Sequence, residues 1–186
     1  ARAYVADAFK GLRVLDVADA AHPRELGGYD APGGHAGGVA LSGSVAYVAD
    51  RNGGLRAVSV LDPLHPRILG SHCPMGYAFR VVVQDSLAIV AAGPYGLRII
   101  DLTDGSQPRE LGVYDLGSVA SSVAVAGHYA YVSGPSAPQV GLYIIDISDP
   151  SHLVRKGLYQ GFGECRDLAV VGGIAYLATG DDLLLV

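Results

Sequence analysis

Gly96-Leu97-Arg98-Ile99-Ile100-Asp101 is the stretch that decides the fold, because it recurs. Gly11-Leu12-Arg13-Val14-Leu15-Asp16 and Gly54-Leu55-Arg56-Ala57-Val58-Ser59 precede it, and Gly141-Leu142-Tyr143-Ile144-Ile145-Asp146 follows. A fifth start stands at Asp182-Leu183-Leu184-Leu185-Val186. The starts are 43, 42, 45 and 41 residues apart, and a steady period of this length marks a repeat architecture.

Working outward from these starts, the likeness runs through each unit. Asp19, Asp62, Asp104 or Asp149 comes three residues after the strand-ending position. Pro23, Pro66 or Pro108 follows, with Leu153 in the fourth unit, and then Leu26-Gly27, Leu69-Gly70, Leu111-Gly112 and, more loosely, Lys156-Gly157. A Gly-x-Ala-x-x-Val frame comes next at Gly34/Ala36/Val39 and Gly76/Ala78/Val81, with Ser118/Ala120/Val123 and Gly163/Cys165/Leu168 as variants. Each unit closes on a short run such as Ala46-Tyr47-Val48-Ala49 or Ala130-Tyr131-Val132-Ser133, and Ala3-Tyr4-Val5-Ala6 is the same element.

Every unit thus holds four short runs rich in Val, Ile, Leu and Tyr, separated by Gly, Pro, Asp or Ser, which is the pattern of strands and turns. No run has the length and period of an amphipathic helix. Val123-to-Val125 and Tyr129-to-Val132 read as a hairpin whose turn is Gly127-His128, glycine supplying the positive φ of a tight turn. A four-stranded sheet has two faces to cover, and radial stacking of such sheets covers both. The expected fold is therefore all-β: a partial β-propeller with four-stranded antiparallel blades of about 42 residues. The blades are predicted at 31–73, 74–115 and 116–160, with partial blades at 1–30 and 161–186, all in one repeat region. The first partial blade lacks its inner strand and the last its outer one, so the chain is expected to be an internal piece of a longer array of five or more blades. Its unpaired blade edges would favour association.

Composition narrows the partners. Half of the residues are hydrophobic and 17% are charged, as in a globular chain. A net charge of −5 without a run of Lys or Arg argues against nucleic acid, whose backbone needs clustered cations. No apolar stretch approaches the length of a membrane span. Cys73 and Cys165 have the spacing of neither a metal site nor a disulfide framework and read as small buried apolar residues.

The segments Gly96-to-Asp104, Gly141-to-Pro150 and Ala46-to-Asp50 resemble the LVIVD repeat, and the resemblance covers essentially the whole chain. It implies a β-propeller repeat region of the kind found in secreted or surface-attached bacterial and archaeal proteins, and so an extracellular or cell-surface location. It brings no shared catalytic residue. The second unit departs from the pattern: Ser59 replaces the recurring Asp, and His72-Cys73 stands where Tyr29-Asp30 and Tyr114-Asp115 stand.

Recurring residues read as structural. Asp16, Asp101 and Asp146, and then Asp19, Asp62, Asp104 and Asp149, suit turn amides through side-chain-to-backbone bonds. Arg13, Arg56 and Arg98 are expected on a solvated strand face. Function is sought where equivalent positions differ, in the loops that a propeller gathers at the mouth of its channel, by fold-level analogy. The candidate binding residues there are His35, His72, Tyr77, Arg80, Tyr95, Phe162, Glu164 and Arg166. No catalytic residue, metal ligand or cofactor is assigned. The expected function is a non-catalytic module that binds or scaffolds a protein or glycan. The alternative is a hydrolase- or lyase-like enzyme using acid–base groups such as His35, Glu164 and Arg166 at the channel mouth.

Overall fold

A computed structural model describes residues 1–73, 77–134, 141–162 and 165–179, and the backbone of 183–185. Five antiparallel sheets follow one another, each a meander in chain order. The first holds β1 (Arg2–Ala6), β2 (Leu12–Asp16) and β3 (Arg24–Tyr29). The second holds β4 (Ala36–Ser42), β5 (Val45–Asp50), β6 (Gly54–Ser59) and β7 (Arg67–His72). The third holds β8 (Arg80–Gln84), β9 (Leu87–Ala91), β10 (Leu97–Asp101) and β11 (Arg109–Tyr114). The fourth holds β12 (Ser122–Ala126), β13 (Tyr129–Gly134), β14 (Gly141–Asp146) and β15 (Val154–Tyr159). The fifth holds β16 (Cys165–Val171), β17 (Ile174–Thr179) and β18 (Leu183–Leu185). Among the described residues no helix is long and apolar enough to cross a membrane.

The recurring Gly-Leu-Arg run is the third strand of each four-stranded sheet, and the Tyr-Val run is the second. Buried residues on these strands form four apolar clusters, one between each pair of successive sheets. The first hairpin of the fourth sheet turns at Gly127, whose φ is 57°, and Asp85 (φ 54°) takes the same position in the third. The Leu-Gly pair explains how neighbouring sheets approach on their outer side. A Cβ on Gly70 would overlap the Ser106 carbonyl, and one on Gly112 would overlap the Pro150 carbonyl. The outer strands of the first three sheets, at Gly27, Gly70 and Gly112, therefore lie against the backbone of the next module's outer turn, and only glycine permits the distance. The same strands carry a β-bulge, seen as register shifts at Val14/Leu15, Ala57/Val58, Ile99/Ile100 and Ile144/Ile145.

The inner strands pack in succession: β4 on β8, β8 on β12 and β12 on β16. Arg80 of β8 donates through Nη1 to the Gly37 carbonyl of β4, and its Nε lies 3.8 Å from Asp167 Oδ1 of β16. One side chain thus touches the inner strands of the second and fifth sheets from the third, so the sheets wrap around a common axis. No strand of the first sheet pairs with one of the fifth among the described residues, and the array is a propeller left open.

The recurring aspartates do serve the turns. Ala18, Thr103 and Ser148 amides donate to Asp16, Asp101 and Asp146 at 2.9–3.0 Å. Ala21, Leu64, Ser106 and Ser151 amides donate to Asp19, Asp62, Asp104 and Asp149 over the same range. The Ser148 amide and hydroxyl hold the Asp146 carboxyl down at about 2. The arginine series differs from the expectation of a solvated face. Arg13, Arg56 and Arg98 keep only 14–17% of their side chains exposed and are paired with acids. The acids come from each arginine's own module, Glu25 and Asp30 for Arg13, Asp50 for Arg56 and Glu110 for Arg98, and their pairing along the sheet is what strand alternation does not reveal.

Candidate functional site

The loops between second and third strands meet the segment that enters the next sheet's first strand. Gly93 and Ala120 exchange backbone bonds of 2.8 and 2.9 Å, and the Ala36 amide donates to the Ala8 carbonyl at 2.9 Å. The Tyr77 amide likewise donates to the Arg51 carbonyl. These latches bring side chains from consecutive modules onto one loop face at the inner end of the sheets.

That face is rich in aromatic rings. The Phe9 and His35 rings meet edge to face at 4.8 Å. Tyr77 stacks with Phe79 at 6.3 Å and leans toward Tyr95 at the same distance. The Arg51 guanidinium sits 4.7 Å over Phe79, within cation–π reach. Tyr159 and Phe162 stack at 6.1 Å. Phe9 is 79% exposed and Tyr77 44%.

Of the eight candidate residues, His72, Tyr77 and Tyr95 come together in one cleft between the second and third sheets, with Arg98 and Glu110. The cleft has room for about 20 Å³, a single water molecule. Arg98 Nη1 donates to Glu110 Oε2 at 2.8 Å and Arg98 Nε to the Tyr95 carbonyl at 3.1 Å. His72 Nε2 is buried without a hydrogen-bond partner, and Glu110 Oε2 lies 3.9 Å away.

The other candidates lie elsewhere. His35 packs on Phe9, its amide donates to Asp50 Oδ1 at 2.6 Å, and its Nδ1 is buried without a partner. Phe162 stands beside the fourth sheet's end, Arg80 turns to the axis, and Arg166 is exposed. Glu164 lies outside the described residues. No hydrogen bond or ion pair joins His35, Arg80 and Arg166 among the described residues.

Three participants stand outside the candidate set: Asp167, Ser122 and Asp50. Asp167, rather than Arg166, faces Arg80, because a register shift between Cys165 and Asp167 leaves Arg166 as the extra residue of a bulge. Ser122 Oγ donates to the same Asp167 carboxylate at 3.0 Å. Asp50 is fully buried and takes Arg56 Nε at 2.6 Å. Burial pulls the Arg56 guanidinium down, but the hydrogen bond and charge of Asp50, joined by Tyr29, outweigh it and the net direction is up. Asp50 ends the Ala-Tyr-Val-Ala-Asp run, and the recurrence of that run was the signal available. Cys73 and Cys165 are free; Cys165 is buried as expected and burial pushes its thiol up, whereas Cys73, at the end of an outer strand, is exposed rather than buried. Among the described residues no group of three or more His, Cys, Asp or Glu is placed to hold a metal ion.

Sheets stacked around an axis, latched at a loop face and divided into modules of equal length, define a β-propeller repeat protein. The chain belongs to the LVIVD repeat family, whose profile matches residues 3–31, 33–72, 75–116, 117–161 and 162–186. No curated protein matches the sequence closely enough to count as a relative. Among solved structures, a protein from Lactobacillus plantarum is 16% identical with a TM-score of 0.82, over 98% of this chain and 62% of that one. The β-propeller domain of Myceliophteria thermophila Cps50 is 13% identical with a TM-score of 0.71, over all of this chain and 65% of that one. A chain of the nidogen/laminin complex is 12% identical with a TM-score of 0.71, over 96% of this chain and 70% of that one. These likenesses concern the fold.

Proposed function

We propose that this region is a non-catalytic binding module whose loop face at the inner end of the sheets is the contact surface. The observation that carries this reading is the division of labour among the side chains there. The charged groups are largely engaged with one another: Arg80 with Asp167 two modules away, and Arg56 with Asp50 and Arg98 with Glu110 within their own modules. The aromatic groups Phe9 and Tyr77 stand open, and the exposed Arg51 cation lies over Phe79. Exposed aromatic and arginine side chains on a rigid support suit recognition. An acid–base mechanism needs its groups around one reacting atom, whereas the His35 ring packs on Phe9 and Arg80 is drawn to the axis. The repeat resemblance supports placing the module in a secreted or surface-associated protein, which fractionation of cells expressing the full gene would test.

The binding experiment is a screen of the immobilised chain against glycan and protein arrays, with two surface variants. Phe9→Ser with Arg51→Ser strips the loop face, and Leu61→Ser with Arg67→Ser strips the outer rim. Loss of signal in the first and its retention in the second is the expected result. The reverse would move recognition to the rim and end this reading.

A further inference from the structure

We infer that the cleft between the second and third sheets is a subsite for one sugar unit of a glycan, a refinement that rests on the loop face being the binding surface. Tyr29, His72, Tyr114 and Tyr159 all end an outer strand and pair with Leu12, Leu55, Leu97 and Leu142 in the same register. At the first junction Tyr29 stands close enough to Arg56 of the next sheet to help stabilise its charge. At the second junction His72 holds the position, and its shorter ring stops short of the acid and the guanidinium beyond it.

The shortfall is visible as geometry. His72 Nε2 is buried and unpaired, Glu110 is 3.9 Å away, and the space between the sheets is about that of one water molecule. A buried polar atom without a partner is costly, and a fold that retains one has room for a group that would satisfy it. Tyr77 stands at the rim with nearly half of its surface open, and Tyr95 lies next to it.

The ligand's chemistry follows from these dimensions. The space admits one hydroxyl-sized group, too little for the apolar side chain of a protein anchor. A hydroxyl both donates and accepts, so it satisfies Nε2 in either tautomer: it donates to a bare Nε2, or it accepts from Nε2–H and donates to the Glu110 carboxylate. Arg98 is already committed to Glu110 and to the Tyr95 carbonyl, so no free cation awaits an anion. The exposed Tyr77 ring offers a flat apolar platform beside the opening. A group that is flat and apolar on one face and edged with hydroxyls is a neutral pyranose.

The test uses the chain as it stands, with methyl α-mannoside, methyl β-glucoside and methyl β-galactoside as probes. Affinity is read by titration calorimetry and by saturation-transfer NMR. At least one glycoside is expected to bind, with its ring protons saturated from Tyr77. His72→Tyr restores the residue of the other modules and fills the space. It should raise the thermal midpoint while weakening binding about tenfold or more, a loss that a merely structural role would not couple to a gain in stability. Tyr77→Ala should weaken binding by a similar factor. Binding unchanged in His72→Tyr would overturn this cleft while leaving the loop face intact as the surface. Failure of all three glycosides to bind a chain that still captures a protein on the array would overturn the sugar assignment alone.

Discussion

The junction between the first and second sheets and the junction between the second and third are built from the same module in the same register, yet they end differently. At the first, Tyr29 stands close to Arg56, Arg56 pairs with Asp50, and Asp50 caps the His35 amide, so polar groups are tied from one sheet to the next. At the second, Arg98 and Glu110 pair with each other and His72 is left over. The lesson is that a repeat acquires a specific site where one copy releases a residue that its siblings use to hold the array together.

The largest effects should show what the two junctions share. Gly27→Val and Gly70→Val each drive a side chain into a neighbouring module's backbone, and each should cost about 4 kcal/mol. Urea midpoints would check this, and a large difference between the two would mean that the junctions differ on their outer side as well. Next comes the inner end, where they part. Asp50→Ala strands a mostly buried guanidinium and should cost about 3 kcal/mol. Its counterpart Glu110→Ala removes a partly exposed carboxylate and leaves Arg98 its bond to the Tyr95 carbonyl, so it should cost less, about 1.5 kcal/mol, and equal losses would erase the contrast. His72→Tyr should move stability the other way by about 1 kcal/mol, as a new bond to Arg98 replaces an orphan atom.

The smallest effect belongs to the outer turns, which are alike at every junction. Amide and side-chain hydrogen bonds hold their aspartates below the ordinary 3.8, and Asp146 down at about 2. A depressed carboxyl contributes stability that is present above its unfolded pKa and is lost as pH falls through the folded one. Thermal midpoints should therefore stay level above about pH 5 and decline from about pH 4 toward pH 2. Asp146→Ala should flatten part of that decline, and a midpoint that instead dropped near pH 6 would point to histidines.

Most of the fold was legible because strands and turns are local. Gly-Leu-Arg, Leu-Gly and Ala-Tyr-Val recur at one period, and each mark is set by a backbone need within its own module or against the next. The site was legible only in part. His72, Tyr77 and Tyr95 belong to different stretches of a non-repeating face, and their departure from the repeat was enough to single them out. What lies alongside within a sheet was hidden, since strand alternation does not say which acids the adjoining strands bring next to an arginine; hence the paired arginines were expected in solvent. The axial partner was hidden for another reason. A bulge at Arg166 shifts alternation by one residue, and Asp167 turns to Arg80 in its place.

Arg80 also bears on the order of events during folding. Its contacts join the third module to the second, already synthesised, and to Asp167, which the ribosome delivers two modules later. Hairpins and adjacent sheets can form as they emerge, whereas this pair must wait until a long loop of chain has been brought round. A reporter placed at Asp167 should therefore register last, after every local turn has settled.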